Sequence, residues 1–248
     1  MTMSIVYQDD DLLAVHKPPG LLVHRSLIDK HETRFAMQMA RDMVGKHVFP
    51  VHRLDRPTSG ILLFALSSDV ARLLTEQFTA QQVDKTYYAI VRGHPDEQGH
   101  IDYALKEKLD KIADKMANQD KPAQQAQTDY SRLATFELPH PVGRYASARY
   151  ALMRLSPHTG RKHQLRRHMA HISHPILGDT THGDGKHNKF VRQTYGFNGL
   201  ALTCQQMVLQ HPVQGGQLVL RGEFDERLVK LLGQWGMSRA ELRQLEND

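Results

Sequence analysis

VHRLDRPTSG, residues 51–60, sets one carboxylate, Asp55, between Arg53 and Arg56 and follows it with a Pro-Thr-Ser-Gly turn. The apolar run ILLFAL (61–66) comes next, so residues 48–66 read as strand, turn, strand with Asp55 in the turn. An Asp before such a turn commonly accepts hydrogen bonds from the backbone that follows it, which is a sufficient structural reason for its presence. The flanking cations add a second reading. Positive charge beside a carboxylate favours its ionised form, and an ionised carboxylate serves as a nucleophile or as counter-charge to a developing cation. Glycoside hydrolysis normally uses two carboxylates. One aspartate among arginines suits glycosidic-bond chemistry that needs no activated water.

Working outward, SIVYQDDDLLAVHKPPG (4–20) reads as two short strands about an acidic turn, closed by Pro-Pro-Gly. Residues 31–44 read as a helix with Phe35, Met39 and Met43 along one stripe. SSDVARLLTEQF (67–78) reads as a helix capped by Ser68, with Val70, Leu73, Leu74 and Phe78 on its apolar face. Strand composition marks 84–93, 130–138 and 148–156. Between them, 106–127 shifts to Lys, Asp and Gln and reads as an exposed insertion. RKHQLRRHMAHIS (161–173) reads as a helix burying Leu165, Met169 and Ile172, and a polar Gly- and His-rich loop follows HPILGD (174–179) to about residue 198. A strand pair and a helix bearing Leu228, Leu231, Leu232 and Trp235 complete the chain. Many strands with few, irregularly placed helices argue for an α+β fold. Its expected form is a mixed, mainly antiparallel central sheet with flanking helices, in one domain over 1–248.

Charge adds a partner. The formal net charge of the 248 residues is +5, and seven Lys or Arg with no acid fall between Arg144 and Gly178. That window carries +7 and five histidines, so the remainder of the chain sums to −2. A concentrated basic face is the footprint of a phosphate backbone, although a solvated basic helix has the same composition. Arg161 and Lys162 are the expected phosphate contacts.

Other classes are set aside by what is missing from the sequence. No apolar run approaches the ~20 residues of a membrane span. MTMSIVYQDDD lacks the basic head and apolar core of a signal peptide, and the single Cys204 forms no internal disulfide, so a reducing cytoplasm is the expected compartment. GxxxxGK[ST], a helix-opening GxGxxG and GxSxG are all absent. His168, His171 and His174 recur every three residues, but HExxH is missing and the basic neighbours oppose a cation, so no metal is expected.

At this point a resemblance becomes informative. HRLDRPTSGILLFA (52–65) resembles the signature of the RluA family of pseudouridine synthases. HKPPG (16–20), KTYYA (85–89) and TGRKHQLRRH (159–168) followed by HPILGD (174–179) resemble three further elements of that family, in its order. The resemblance implies isomerisation of a uridine in structured RNA: the C1′–N1 bond breaks, the uracil turns, and C1′–C5 forms without any cofactor. It implies that Asp55 is the catalytic aspartate, attacking C1′ or removing a proton at C2′. Tyr87 stacks on the target base and assists proton transfer at C5. Arg166 pairs with Asp55, Leu165 walls the base pocket, and Arg53 fills the space left by the base. Flipping is required, because the bond exchange has no room inside a stack.

Within the family, the residues 16–60 pattern and the 106–127 insertion resemble a member acting on tRNA at nucleotide 65. The implied protein is a monomer without the N-terminal S4-like RNA-binding module of the rRNA-acting members. An rRNA substrate, or a metal-assisted RNA phosphodiesterase built on the histidines, are the alternatives. One departure stands out: Thr203-Cys204 replaces a frequent His-Ala. That strand lies far from the chemistry along the chain, so local packing is what it is expected to affect.

Overall fold

The computed structural model describes residues 2–24, 33–106 and 122–247. In chain order its elements are β1 (Ser4–Gln8), β2 (Leu12–Lys17), α1 (Ala36–Val44), β3 (Phe49–Pro50), β4 (Ser59–Ala65), α2 (Ser68–Thr79), β5 (Asp84–Arg92), β6 (Gln98–Asp102), β7 (Gln127–Leu138), β8 (Ala148–Pro157), α3 (Gln164–His171), α4 (Gly185–Tyr195), β9 (Leu202–Gln210), β10 (Gln217–Arg221), α5 (Glu226–Gln234) and α6 (Arg239–Asn247). The strands form one ten-stranded sheet ordered β1-β2-β4-β9-β5-β8-β7-β6, with β3 on β4 and β10 on β9. Among these strands every described pairing is antiparallel except β4 with β9, where Ser59 faces Thr203 and Gly60 faces Cys204. The expected α+β architecture is thus observed.

The parallel pair explains the glycine that ends PTSG. Gly60 sits at φ 108, and a Cβ there would run into the backbone of Cys204. Beyond it, all seven residues of β4 are buried, the pattern of a strand covered on both faces. Each fully buried Leu, Ile or Phe there contributes roughly 1.5–3 kcal/mol. Two hydrophobic clusters result. One gathers β2, β4, α1 and α2; the other gathers β5, β7, β8 and the helices α3–α6. Tyr87 packs against both, so it marks the seam between them.

Several expectations are corrected. In α1 the buried face is Ala36 and Ala40, whereas Met43 is 38% exposed. Small residues let the helix approach the sheet closely, and Phe35 is buried just ahead of it as the N-cap. Residues 31 and 32 of the expected helix lie outside the described residues. In α2 the cap is Ser67, not Ser68: Ser67 is extended, and its hydroxyl accepts from the Val70 amide. The supposed loop 180–198 contains α4, opened by Asp184, whose carboxylate accepts from the Lys186 and His187 amides, and closed by Gly196 at φ 69. Of the insertion, 107–121 lies outside the described residues, but its last residues belong to the sheet. Leu105 bridges Gln124, the Tyr103 amide donates to Ala126, and Ala126 is buried.

Candidate active site

Asp55 hangs on a clasped loop. The Thr58 amide donates to the Asp55 carbonyl at 3.0 Å, closing the turn before β4. Lys17 is fully buried beneath it and donates from Nζ to the carbonyls of Leu21 (2.8 Å), Pro18 (3.1 Å) and Arg56 (3.1 Å). The Gly20 amide adds a bond to Arg56 O, and Arg56 Nε returns one to Gly20 O. HKPPG and LDRPT therefore act as one unit. Burial pulls the Lys17 ammonium down to about 7, against the opposing charge of Asp55. His52 holds the other side. Its Nε2 accepts from the Leu63 amide at 2.9 Å, it stacks on Phe78, and burial pushes it down to about 3, so it is a neutral strut.

The guanidinium against the Asp55 carboxylate comes from 111 residues away. Arg166 Nη1 donates to Asp55 Oδ2 at 3.2 Å. The two arginines beside Asp55 in sequence have other tasks: Arg53 is exposed at the cavity wall, and Arg56 holds Gly20. Arg166 is itself held from behind by Asp179, through Nε to Oδ2 (2.7 Å) and Nη2 to Oδ1 (2.8 Å). The Asp179 side chain has no exposed surface. Burial works against both charges. The Arg166 bonds, with the Thr181 and His182 amides, nevertheless bring Asp179 below its ordinary value, and Asp179 with Asp55 raises Arg166. Gly178 precedes Asp179 at φ 78, and a Cβ there would collide with the Gly199 carbonyl. HPILGD was legible as a motif, but Asp179 had no assigned task in it; a buried arginine needing a counter-charge was the available signal.

Gln164 fixes the start of α3. Its Oε1 accepts from Thr159 Oγ1 (2.6 Å) and the Arg161 amide (3.0 Å), and its Nε2 donates to Gln127 O and Thr128 Oγ1 on β7. These bonds hold residues 159–163 outside the helix, which is why α3 is shorter than the expected 161–173. His163 takes the left-handed φ of 56 at its N-cap, a conformation that persists where surrounding bonds over-determine it. Its Nε2 lies 3.8 Å from Asp55 Oδ2 and its Nδ1 3.2 Å from His182 Nε2. Burial lowers His163, with Asp55 opposing.

Tyr87 enters from β5. In the register of β5 against β9 it faces Cys204, whose thiol donates to Gln206 O. Burial raises both, the thiol to about 12 and the phenol well above its usual value, with Cys204 and Asp55 adding to the latter. The Thr203-Cys204 departure is therefore next to Tyr87 and not, as its place in the sequence implies, remote from the expected site residues.

These groups surround a cavity of about 520 Å³ walled by Asp55, Tyr87, Arg166, Leu165, Arg53 and Arg161. Of the expected site residues, Lys162 alone is not on the wall; it is exposed one residue beyond Arg161. The basic window does not form a single face. Arg166 is buried and paired, Arg167 donates to Lys106 O, and Arg144 and Arg149 line a second cavity. Nor do the three spaced histidines converge. His168 uses both nitrogens on Thr128 Oγ1 and Tyr103 O, His171 stacks on Tyr103, and His174 bonds Arg92 O.

Residues 11–171, from β2 through the last residue of α3, match the RNA pseudouridylate synthase family. The chain belongs to that family. It is 56% identical over 224 residues to tRNA pseudouridine synthase C of Vibrio vulnificus, covering 90% of this chain and 91% of that protein. Identity to tRNA pseudouridine synthase C of Yersinia pestis is 55% over 236 residues, 95% of this chain and 92% of that one. Among solved structures, human RNA pseudouridylate synthase domain containing 4 superposes with a TM-score of 0.70 at 27% identity, covering 93% of this chain and 92% of the other. The human domain containing 1 protein gives 0.71 at 24% identity, a likeness of fold. As a pseudouridine synthase, this chain is an isomerase.

Proposed function

We propose that this pseudouridine synthase acts on tRNA, converting the uridine at nucleotide 65 to pseudouridine with Asp55 as its catalytic carboxylate. The observation that carries the reading is the cavity in which Asp55 meets Arg166 on one side and Tyr87 on the other. At about 520 Å³ it has the size of a small-ligand site, ample for one extruded nucleotide. The tRNA substrate is supported by the names and near-full-length identity of the relatives.

In this reading the target nucleotide leaves its stack and enters between Tyr87 and Leu165, while Arg53 at the rim occupies the space it vacates. Asp55 acts at the ribose, by attack at C1′ or removal of the C2′ proton. The C1′–N1 bond breaks with its electron pair on N1, and the uracil turns while held in the cavity. C5 bonds to C1′ as Asp55 leaves C1′ or returns the proton to C2′, and the proton lost from C5 is matched by one gained at N1. Arg166 holds the carboxylate at a fixed angle, and Asp179 keeps Arg166 from rotating away. Tyr87 stacks on the base and assists at C5. Its buried phenol stays protonated at neutral pH and is a donor as well as a stacking surface. Arg161 and Lys162 grip backbone phosphates outside. The divergence of His168, His171 and His174 removes the ground for the phosphodiesterase reading. Among the described residues no helix is long and apolar enough to cross a membrane. The proposed protein works as a monomer in the cytoplasm and needs no cofactor. Incubation with unmodified tRNA and with large-subunit rRNA fragments, followed by mapping of pseudouridine, tests the substrate; product confined to rRNA would overturn it.

A further inference from the structure

A second cavity, of about 560 Å³, opens at the far end of α3. Its wall is drawn from four separate segments: the end of β5, the β7–β8 connection, the residues after α3, and the start of α4. Four long cations converge there, Arg92, Arg144, Arg149 and Lys186. Asp184, the one acid on this wall among the described residues, is consumed. Its Oδ2 accepts from Arg92 Nη1 at 2.6 Å, and its Oδ1 accepts from the amides of Lys186 and His187. The remaining cations are thus not neutralised by it. Tyr145 stands beside them, 52% exposed, with the Arg144 guanidinium 5.1 Å from its ring centroid and bonded to its hydroxyl. A large aromatic left in water beside a cluster of guanidinium groups costs solubility and gains nothing for the core.

From this arrangement we infer that the second cavity binds an unstacked nucleotide of the substrate RNA, its phosphate on Arg144, Arg149 and Lys186 and its base on Tyr145. Guanidinium groups match phosphate bidentately, and an exposed aromatic ring gives any base a stacking surface. The position fits the same RNA molecule. α3 begins at the wall of the catalytic cavity and ends beside the second, and its eight residues span roughly 12 Å. Along β5, Tyr87 and Arg92 are about 17 Å apart. At ~3.4 Å per step along a strand, the second contact falls on the order of four to five nucleotides from the target uridine. An acidic peptide would satisfy the cations but not the ring, so RNA is the better match. This inference rests on the reading of the chain as an RNA-modifying enzyme and adds to it where the RNA is held.

The test compares two RNAs, the unmodified full tRNA transcript and a short stem-loop ending within two nucleotides of the target uridine. Arg144→Glu, Arg149→Glu, Tyr145→Ala and Tyr145→Phe are each on exposed residues and leave the core untouched. On full tRNA, either charge reversal should raise KM about tenfold with kcat unchanged and flatten the salt dependence by roughly one phosphate contact. Tyr145→Ala should raise KM by about fivefold or more without altering the salt slope, and Tyr145→Phe should restore it, since the ring does the stacking. On the short stem-loop none should differ from wild type. Filter binding to the same RNAs reads the contact independently of turnover. Wild-type protein that turns over neither RNA would strike the proposed function while leaving binding to judge this contact. Unchanged KM and affinity in all four variants, the result expected of an acidic-peptide site, would overturn the inference. Equal losses on both RNAs would also overturn it, by showing a general effect on the fold.

Discussion

Arg166 is shared between two aspartates: Asp179 takes its Nε and Nη2 at 2.7 and 2.8 Å, and Asp55 takes its Nη1 at 3.2 Å. The rear pair is buried and bidentate, the front contact longer and part-exposed. The arrangement makes Arg166 a fixed bracket for the carboxylate in the cavity. Removing Asp179 leaves a guanidinium buried without its main partner, which should cost ~3–5 kcal/mol. Asp179→Ala is expected to lower the unfolding free energy by that amount, read as a lower urea midpoint, and to cut turnover in the molecules that remain folded. Arg166→Lys supplies the charge as a point and not a fork, so it should keep some stability but lose the three-way geometry and most activity. Unchanged turnover in Asp179→Ala would show that the bracket is not needed.

Asp55→Asn separates chemistry from binding. The amide keeps the shape of the carboxylate but neither its charge nor its nucleophilicity. Single-turnover tritium release from 5-labelled uridine in tRNA should fall by several orders of magnitude, because among the described residues no second carboxylate stands on the cavity wall to replace it. RNA affinity in a filter-binding titration should hold or rise, as a negative charge has left a site that faces phosphates. Near-normal turnover in folded protein would remove Asp55 from the mechanism.

Acid should unfold the protein in two overlapping stages. His52 is pushed down to about 3 in the folded state, so below its unfolded value near 6.5 the unfolded chain takes a proton that the native one refuses. Stability from this group is complete above about 6.5 and is lost progressively toward 3. Asp179 is also lowered by folding, so its contribution is complete above an unfolded value near 4 and is lost as pH falls through its native value. In His52→Gln the amide oxygen can accept from Leu63 but does not titrate. Chemical denaturation between pH 4 and 7 should then show a shallower slope than wild type, with the steeper loss below pH 4 retained.

Cys204 should be unreactive in the native enzyme. The thiol is buried and raised to about 12, and only the thiolate attacks electrophiles. Maleimide labelling at pH 8 should be negligible until denaturant exposes β9. Cys204→Ala should keep the fold but lose the side chain that faces Tyr87 across β9–β5, with a modest fall in kcat and little change in RNA affinity. Rapid labelling of the folded protein would contradict the burial.

RNA binding should weaken steeply with salt. If about five phosphates are contacted, affinity falls by about three to four powers of ten per tenfold rise in salt. Arg161→Glu and Lys162→Glu should weaken binding to every RNA alike, since phosphate contacts carry little sequence information. A flat salt profile would mean that the basic residues face something other than RNA.

Local chemistry is what the sequence determined by itself. The Asp55 turn, the buried β4 run, the Tyr- and Ile-rich β5 and the amphipathic α2 each follow from residues within a few positions of one another, where turn geometry and side-chain period act. The RluA resemblance then named the reaction and Arg53, Asp55, Tyr87, Leu165 and Arg166, all of which line the cavity. It also implied the meeting of Arg166 with Asp55 across 111 residues. The tertiary structure alone decided the supporting contacts: Asp179 backs Arg166 from a loop, and Lys17 joins two segments through three carbonyls. The parallel β4–β9 pair beside antiparallel β9–β5 carries Cys204 to Tyr87, though they are distant along the chain. The same folding scattered the seven cations of 144–178, burying Arg166 and sending Arg144 and Arg149 to another cavity. A charge count along the chain has no memory of direction. Strand pairing and the requirement that every buried charge find a partner assign the directions, and both are long-range.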